Sequence, residues 1–486
     1  MTAPTSRLRR ASFALLTAGT LLLAGTAPAI AQTPFGQIDK TSTARVSFAS
    51  AESGKPIEAG SQVNVNGQGF KPGQRVTLFY GSAALNSAPL VADAEGKVTT
   101  TIAIPAAAVS GTHPIVVVAD APYAAIVAEL KVSPTVPLSG QQNFTITQAE
   151  ETRGLYQSAY SAKNNVLFTA SAVGRPPISQ SEVLKLDADK LNVIARATPP
   201  EAPAPQRPAG PPPGGQGGPG GNQPQGPGVF AVYGIGVDDT KGTVWATNTR
   251  QNTIAVYNQS DLSLVKQFPV GTVPHSRDVV IDETLGKAYA SATGTPDVVV
   301  IDTGSLDVAK TISIQTPQRG AAFSALSLSL DRAAHKLYTV SMTTNEVAVI
   351  NTQTDTVEKI IPVPGAISAI GVSHDPQTGR IFVASQGSDN LIVLDGNTGA
   401  VIADTPVGAG ALNVVFDPVK RLAYVANRNA GTITVVDPNG KIVANLGPAP
   451  LANHVSLGSN GVIYAVDKSA GQRDAEADVI MRIQPK

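Results

Sequence analysis

The feature that most constrains this chain is an aromatic residue that returns at nearly regular intervals within a short apolar run. It occurs at Phe168, Trp245, Tyr289, Tyr338, Phe382, Tyr424 and Tyr464. Successive spacings are 77, 44, 49, 44, 42 and 40 residues. The first interval contains the segment 199–228, where 20 of 30 residues are proline or glycine, and without it that spacing falls from 77 to 47. Most of the chain is therefore seven copies of one unit.

The unit is clearest at Leu412–Asp437. It has three short apolar runs, Leu412–Phe416, Leu422–Ala426 and Thr432–Val436, and the breaks between them are rich in turn-forming residues. Runs this short and rich in Val, Ile and Tyr predict strands, and Lys441–Ala444 adds a fourth. One four-stranded sheet cannot bury both its faces, so copies must stack. The period favours a seven-bladed β-propeller over an array of β-sandwiches or a solenoid.

The two ends of the repeat region predict how the ring closes. The last copy supplies the runs Val455–Leu457, Val462–Val466 and Val479–Ile483 and lacks a fourth strand. Phe144–Ile146 precedes the first copy and is predicted to fill that place, which leaves no open sheet edge. The propeller is therefore predicted to span residues 142–486. Its insert, 199–228, has almost nothing apolar to bury and is predicted to be disordered.

A separate β-rich segment, residues 44–134, precedes the propeller. Val63 and Val65 alternate with polar residues, as in a strand with one buried face. The motifs Gly-x-Gly-Phe-x-Pro-Gly at 67–73, Asp-x-x-Gly at 93–96 and Gly-x-His at 111–113 follow. Together they resemble bacterial immunoglobulin-like domains of the IPT/TIG type. The resemblance implies an Ig-like β-sandwich that acts as a spacer or interaction module and has no catalytic residues.

Residues 1–31 have the pattern of a signal peptide. Arg7, Arg9 and Arg10 form a basic segment, Phe13–Ala24 is apolar, and Ala29–Ala31 fits a cleavage site. The protein is therefore predicted to be periplasmic or secreted, with no membrane span after cleavage. General secretion is favoured over twin-arginine export because Phe13 lies one place too far from the arginine pair. The chain has no cysteine, which excludes disulfides, thiolate metal sites, attached c-type haem and lipid attachment through an N-terminal cysteine.

The charge balance argues against a global attraction to polyanions. Lys plus Arg and Asp plus Glu both number 36, and removal of three arginines with the signal peptide leaves 33 against 36, a balance of −3. Such a surface produces no overall field that would hold a nucleic acid. Any nucleic-acid binding therefore needs a local patch of basic residues.

The strand motifs of the repeat support a family resemblance. The second strands contain Tyr424–Asn427, Trp245–Asn248 and Phe382–Ser385, and the third strands contain Val299–Asp302 and Ile392–Asp395. These runs resemble the YncE-like propellers, the YVTN-repeat family of exported bacterial proteins, over the whole repeat region. The resemblance implies an exported binding protein and suggests single-stranded DNA as a ligand, although no motif diagnostic of that activity is present. The Pro/Gly insert and the N-terminal domain depart from the basic family pattern.

One face of the predicted propeller collects basic, polar and aromatic residues. In a propeller, the starts of the first strands and the loops between second and third strands open onto the same face. The candidate site residues at these places are His275, Arg277, Arg250, Arg428, His454, Asn248, Asn427, Tyr156, Tyr233 and Phe323. Arginines that pair with anions and rings that stack predict a site for an anionic or π-rich ligand. The alternative is that the polar residues are solvated and the rings pack between blades.

Two classes of function remain open. The favoured one is an exported, monomeric, non-enzymatic binding protein whose partner is single-stranded DNA or a cell-envelope protein. The other is a propeller hydrolase of the lactonase type that acts on a small anionic substrate. A lactonase needs acids and a metal or histidine that converge on the channel, and Asp278 is the clearest acid there. No hydrolase, zinc-protease or phosphate-loop motif is present, and no metal or cofactor is predicted.

Overall fold

The computed structural model describes residues 37–204, 228–471 and 475–486. The predicted signal peptide and residues 205–227 of the insert lie outside these ranges. The described chain is built from β-strands, with two short 3-10 turns at Gln141–Asn143 and Thr249–Gln251. Within it, no helix is both long and apolar enough to cross a bilayer.

The N-terminal segment folds into two antiparallel sheets with one shared core. Alternate residues of the second strand, Val63 and Val65, are buried, as the sequence pattern predicts, and they pack with Val76, Leu78 and Ile115 of the opposite sheet. The segment is therefore a β-sandwich, and its IPT/TIG-type identity stays a prediction. One sheet contains β1 (Arg45–Ser50), β2 (Gln62–Gln68) and β6 (Val98–Ala103), and the other contains β3 (Arg75–Tyr80), β4 (Ala83–Ala84), β5 (Leu90–Val91), β7 (Gly111–Asp120) and β8 (Ala124–Val132).

The rest of the described chain forms seven four-stranded antiparallel sheets, numbered here as blades one to seven. Blade one contains β10 (Leu155–Ser161), β11 (Val166–Val173), β12 (Gln180–Asp187) and β13 (Val193–Ala197). Blade two contains β14 (Ile235–Asp238), β15 (Thr243–Asn248), β16 (Thr253–Asn258) and β17 (Leu264–Gln267). Blade three contains β18 (Ser276–Asp282), β19 (Lys287–Ala292), β20 (Asp297–Asp302) and β21 (Val308–Ser313). Blade four contains β22 (Ala325–Asp331), β23 (Lys336–Ser341), β24 (Glu346–Asn351) and β25 (Thr356–Pro362). Blade five contains β26 (Ala369–His374), β27 (Arg380–Ser385), β28 (Asn390–Asp395) and β29 (Val401–Pro406). Blade six contains β30 (Ala411–Asp417), β31 (Leu422–Asn427), β32 (Thr432–Val436) and β33 (Ile442–Leu446). Blade seven contains β34 (Ala452–Leu457), β35 (Ile463–Asp467), β36 (Val479–Pro485) and, from the start of the region, β9 (Phe144–Glu150).

The sheets close into a ring, so the fold is an all-β propeller. The first strand of each blade contacts the first strand of the next, and β34 of blade seven contacts β10 of blade one. Strand β9 pairs with β36 from Phe144 opposite Pro485 to Glu150 opposite Val479. The predicted closure by Phe144–Ile146 is confirmed, and the pairing runs four residues further than predicted.

The repeated aromatic residues pack between neighbouring blades. All seven are buried, and Phe382 of blade five stacks on Phe416 of blade six with ring centroids 4.8 Å apart. Trp245 is fully buried and contacts Phe268. The period seen in the sequence is therefore the period of inter-blade packing.

Both ends of the Pro/Gly insert are described and pair with each other. Glu201 forms an antiparallel bridge with Val229, and the Ala202 N–H donates to the Gly228 carbonyl at 2.7 Å. The chain thus leaves and re-enters the propeller at one point, in the connection from β13 to β14. Within the predicted disordered range of 199–228, Pro200, Ala202 and Gly228 form backbone hydrogen bonds, so the prediction is wrong at these two ends, and residues 205–227 lie outside the described chain.

Candidate functional site

A cavity of about 230 Å³ opens at the face where the first strands begin. Seven of the ten predicted site residues line it, contributed by blades one, two, three, six and seven. These are Tyr156, Tyr233, Arg250, His275, Arg277, Arg428 and His454. The ring brings together side chains that are up to about 300 positions apart in the sequence, since closure sets blade seven beside blade one.

The prediction is wrong for three residues, whose side chains point into the propeller rather than into the cavity. Asn248 is fully buried and accepts a hydrogen bond from Gln267 Nε2 at 3.2 Å. Asn427 is fully buried and donates to the Val407 carbonyl at 2.9 Å. Phe323 is 2% exposed and belongs to the core between blades three and four. A place at the end or the start of a strand was therefore not sufficient to predict the direction of these three side chains.

A β-bulge at the start of the first strand aims side chains at the cavity. The register of β10, β30 and β34 against their second strands shifts between the first and third residues of each strand. The third residues are Gln157, Asn413 and His454, and all three line the cavity. Bulges re-aim side chains in this way beside functional sites. Gln157 and Asn413 were not predicted, and their only sequence signal is a polar residue at the third place of an apolar strand.

The third-position side chains also link neighbouring blades. Gln157 Oε1 accepts the Ile235 N–H at 3.2 Å, and Asn413 Oδ1 accepts the Val455 N–H at 2.9 Å. Asp278, the corresponding residue of β18, accepts the Leu328 N–H at 3.0 Å. Backbone N–H groups can only donate, so these contacts fix which side-chain atom is the acceptor.

The same contacts leave the side-chain NH2 groups of Gln157 and Asn413 as donors for the cavity. With Oε1 and Oδ1 turned to the backbone, Gln157 Nε2 and Asn413 Nδ2 have no partner among the described residues. His454 Nδ1 accepts the Ser158 N–H at 3.4 Å, so the proton of the neutral ring sits on Nε2. Burial, aided by Arg277, lowers the pKa of His454 to about 3, so this ring is neutral at physiological pH.

Three arginines make the cavity positively charged. Arg250, Arg277 and Arg428 all line it, and no aspartate or glutamate does. The buried Nε of Arg277 has no hydrogen-bond partner in the described part of the chain. Burial, Arg250 and Arg277 lower the pKa of His275, so that side chain is also neutral at pH 7 and adds no charge of its own. The arrangement is a donor-rich, cationic cavity whose lining contains no carboxylate, and Asp278 interacts with Arg277 from outside that lining.

Aromatic residues close one side of the cavity, but their rings already have partners. Tyr156 and Tyr233 form an edge-to-face pair with centroids 4.4 Å apart. Lys468 Nζ lies 3.1 Å from the centroid of Tyr156, and the Arg250 guanidinium carbon lies 6.0 Å from that of Tyr233. Lys468 had no sequence signal. These contacts leave less ring surface for a stacked base than the sequence suggested, and they favour recognition by charge.

A Ser–His–Asp cluster lies elsewhere on the first strands and bears on the hydrolase alternative. Ser329 Oγ is 2.8 Å from His374 Nδ1, and Asp331 Oδ2 is 3.6 Å from His374 Nε2. This reverses the ring nitrogens of a serine-hydrolase triad. His374 stacks on Tyr338 as Phe416 stacks on Phe382 one blade further on, so it fills a repeated packing position. Among the described residues, no group of three or more His, Asp or Glu is placed to hold a metal.

The fold and the cavity define a β-propeller protein with a cationic site at one mouth of its channel. The chain is similar to the uncharacterized protein YncE of Salmonella typhimurium, 22% identical over 347 residues, which cover 68% of this chain and 88% of that protein. YncE of Salmonella typhi is 21% identical over the same coverage. No family model matches the chain.

Solved structures with the same fold include proteins of unrelated function. Kuenenia stuttgartiensis hydrazine synthase superposes with a TM-score of 0.52 at 14% identity and covers 66% of this chain and 94% of its own. Virginiamycin B lyase from Staphylococcus aureus gives 0.50 at 11% identity, covering 70% and 99%. A streptogramin B lyase gives 0.50 at 12%, covering 72% and 100%. At these identities the likeness extends to the fold alone.

Proposed function

We propose that this protein binds a small anion, or the anionic end of a larger ligand, in the arginine-lined cavity. The observation that carries the proposal is the cavity lining, which offers three guanidinium groups and neutral donors and no carboxylate. The buried Nε of Arg277 has no hydrogen-bond partner in the described part of the chain, which is costly, and an anion that accepts its N–H removes that cost.

The size of the cavity limits the part of a ligand that can enter. At about 230 Å³ it is smaller than the roughly 300–1,000 Å³ of pockets that enclose drug-sized ligands. It suits a carboxylate, phosphate or sulfate group. Single-stranded DNA would insert a phosphate, and a cell-envelope protein would insert an acidic side chain or its C-terminal carboxylate. Both remain proposals for the natural partner.

Catalysis on a small anionic substrate is the alternative. Two of the structurally similar proteins are named as lyases, and that likeness concerns fold only. Because no carboxylate lines the cavity, an acid–base step there would depend on a histidine or lysine. Binding therefore accounts for more of the lining than catalysis does. The proposal keeps the exported, monomeric state expected from the sequence, to be tested by cell fractionation and light scattering.

Isothermal titration of the purified chain tests the proposal, with inorganic phosphate, sulfate, acetate and a single-stranded oligonucleotide as probes. Arg277→Met should weaken binding about tenfold or more, since a charge-assisted hydrogen bond contributes about 1.5–3 kcal/mol. Arg75→Met, an exposed residue of the sandwich, is the matched control and should bind as wild type. Absence of binding to every probe at low salt would overturn the proposal, and a probe that is consumed would favour the enzyme.

A further inference from the structure

We propose that the N-terminal sandwich is a working part of the anion site, because Lys131 positions Arg428 through Asp389 and Gly410. This inference rests on the proposed function. It adds that the affinity of the cavity depends on a residue of the other domain, and that Lys131 is a positioning residue that does not itself contact the ligand.

A salt bridge joins the sandwich to the propeller. Lys131 lies in β8 of the sandwich, and its Nζ donates to Asp389 Oδ1 at 2.7 Å and to the Gln386 carbonyl at 3.0 Å. Asp389 belongs to the loop before β28 of blade five, and its side chain is only 1% exposed, against 35% for Lys131. The carboxylate is therefore removed from solvent and relies on Lys131 for its nearest positive charge.

Two hydrogen bonds through Gly410 connect Asp389 to the cavity. Asp389 Oδ1 also accepts the Gly410 N–H at 2.7 Å, and the Gly410 carbonyl accepts the Arg428 N–H at 2.9 Å. Asn413, three residues after Gly410, lines the cavity together with Arg428. One carboxylate thus holds both the start of β30 and the loop that carries Arg428.

Comparison with two other blades shows that an amide can stand at the position of Asp389. The residue directly before the third strand is Asn252 in blade two and Asn345 in blade four. Their Oδ1 atoms accept the His275 N–H at 2.8 Å and the Ala369 N–H at 3.0 Å, so they make the same link to the next blade. A neutral amide is sufficient for that link. Asp389 adds a buried negative charge, which costs stability unless it is paired, and Lys131 of the sandwich supplies the pair.

The chain between the domains holds Lys131 close to its partner. Ser139 exchanges two backbone hydrogen bonds of 3.0 Å with Asn445 at the end of β33, and Asn445 Nδ2 donates to the Val136 carbonyl at 2.8 Å. A cleft of about 610 Å³ separates the sandwich from Gly410 and Asn429 beside this contact. The salt bridge therefore crosses a loosely packed interface, where a single polar contact has a large share in fixing the geometry.

The consequence is a coupling between domain docking and anion binding. Without Lys131, the buried Asp389 has no cation to pair with, and the Gly410 segment shifts to bring that carboxylate to water. Arg428 then loses its fixed position. By thermodynamic reciprocity, an anion in the cavity also favours the docked sandwich.

Titration of full-length variants with inorganic phosphate tests the coupling. Lys131→Met should weaken phosphate binding about fivefold or more, within the range usual for coupled sites. Asp389→Asn should restore binding in the Lys131→Met background, because the amide makes the Gly410 link without a buried charge. Lys97→Met, an exposed lysine of the same domain, is the control and should have no effect.

The outcomes separate this proposal from the proposed function. If wild-type protein does not bind phosphate or any other anion, the proposed function and the coupling both fail. If wild-type protein binds and Lys131→Met binds equally well, the coupling alone is overturned. A double variant no better than Lys131→Met would also overturn it, because a charge-pairing role predicts rescue. Small-angle scattering on the same samples should show a larger radius of gyration for Lys131→Met and for the double variant, since both lack the salt bridge, and an unchanged radius for Lys97→Met.

Discussion

His275, which lines the cavity, has an energetically unfavourable backbone conformation. Its φ is 51°, in the left-handed region that favours glycine, and it directly precedes the first strand of blade three. The same place is occupied by Gly154 in blade one and Gly410 in blade six, both with positive φ. A non-glycine residue in this conformation costs of order 1 kcal/mol. The imidazole, which lines the cavity, offers a reason for keeping it.

We expect His275→Gly to weaken anion binding about three- to tenfold and to leave the free energy of unfolding nearly unchanged. The affinity falls because the variant lacks the hydrogen bond from the imidazole to the anion. The free energy of unfolding stays nearly the same because relief of backbone strain offsets the roughly 0.5–1 kcal/mol that the flexibility of glycine costs. Ser368→Gly is the matched control, because Ser368 has φ 56° at the equivalent position of blade five and does not line the cavity. Denaturation and phosphate titration measure both effects, and a control that also loses affinity would contradict the explanation.

Lys468 predicts a pH dependence. Burial lowers the pKa of Lys468 to about 7, with Asp478 opposing and Arg428 adding to the shift. The amine is neutral above that pH and charged below it, so affinity for sulfate, whose charge is constant, should rise as pH falls through about 7. His275, with a pKa below its usual 6.5, should add a further rise at lower pH. Titrations across pH check this, and Lys468→Met should lack the step near 7.

Some of the site residues could be predicted from the sequence and others could not. Arg250, Arg277 and Arg428 were predicted because propeller topology assigns their strand ends and loops to one face. Asn427 was misplaced because it ends a strand, where a shift of one residue turns a side chain from loop to interior. Lys468 was missed because its place on Tyr156 depends on ring closure between blades seven and one.

The first strand is the element that joins structure to site. In β10 and β30 its bulge turns the third residue toward the channel, and the amide oxygen of that residue accepts a backbone N–H from the next blade while the amide nitrogen stays free. Strand positions were predictable from apolar runs and turn residues. The bulges were not, because each is a register shift between two strands and leaves no mark in either run alone.

Asn413→Asp should separate the two roles of this position. The carboxylate can still accept the Val455 N–H, so thermal stability should change little. It replaces a donor with a negative charge beside the arginines, so phosphate affinity should fall at least about tenfold, since like charges brought together cost several kcal/mol. Ser373→Ala is the opposite control. It removes the acceptor of the Phe416 N–H, which is away from the cavity, and should lower stability by about 1–3 kcal/mol with unchanged affinity.

At the scale of the whole molecule, the ring depends on contacts that no local pattern records. The repeat period was sufficient for the propeller, and the missing last strand was sufficient for the place of β9. The docking of the sandwich was not predictable, because Lys131 and Asp389 are 258 positions apart and each resembles any exposed charged residue. Long-range pairs of single residues carry no periodicity from which they could be inferred.

Closure predicts a sharp difference between two truncated proteins. A chain that starts at Val136 and carries Asp389→Asn keeps β9 and the Asn445 contact and removes the need for Lys131, so it should fold as a stable monomer. A chain that starts at Leu155 lacks β9, which exposes the edge of β36 and uncovers Tyr424, against which Phe144 packs. It should aggregate or lose most of the roughly 5–15 kcal/mol that stabilises a folded domain. Size-exclusion chromatography and thermal denaturation compare them, and equal stability would show that β9 does not close the ring.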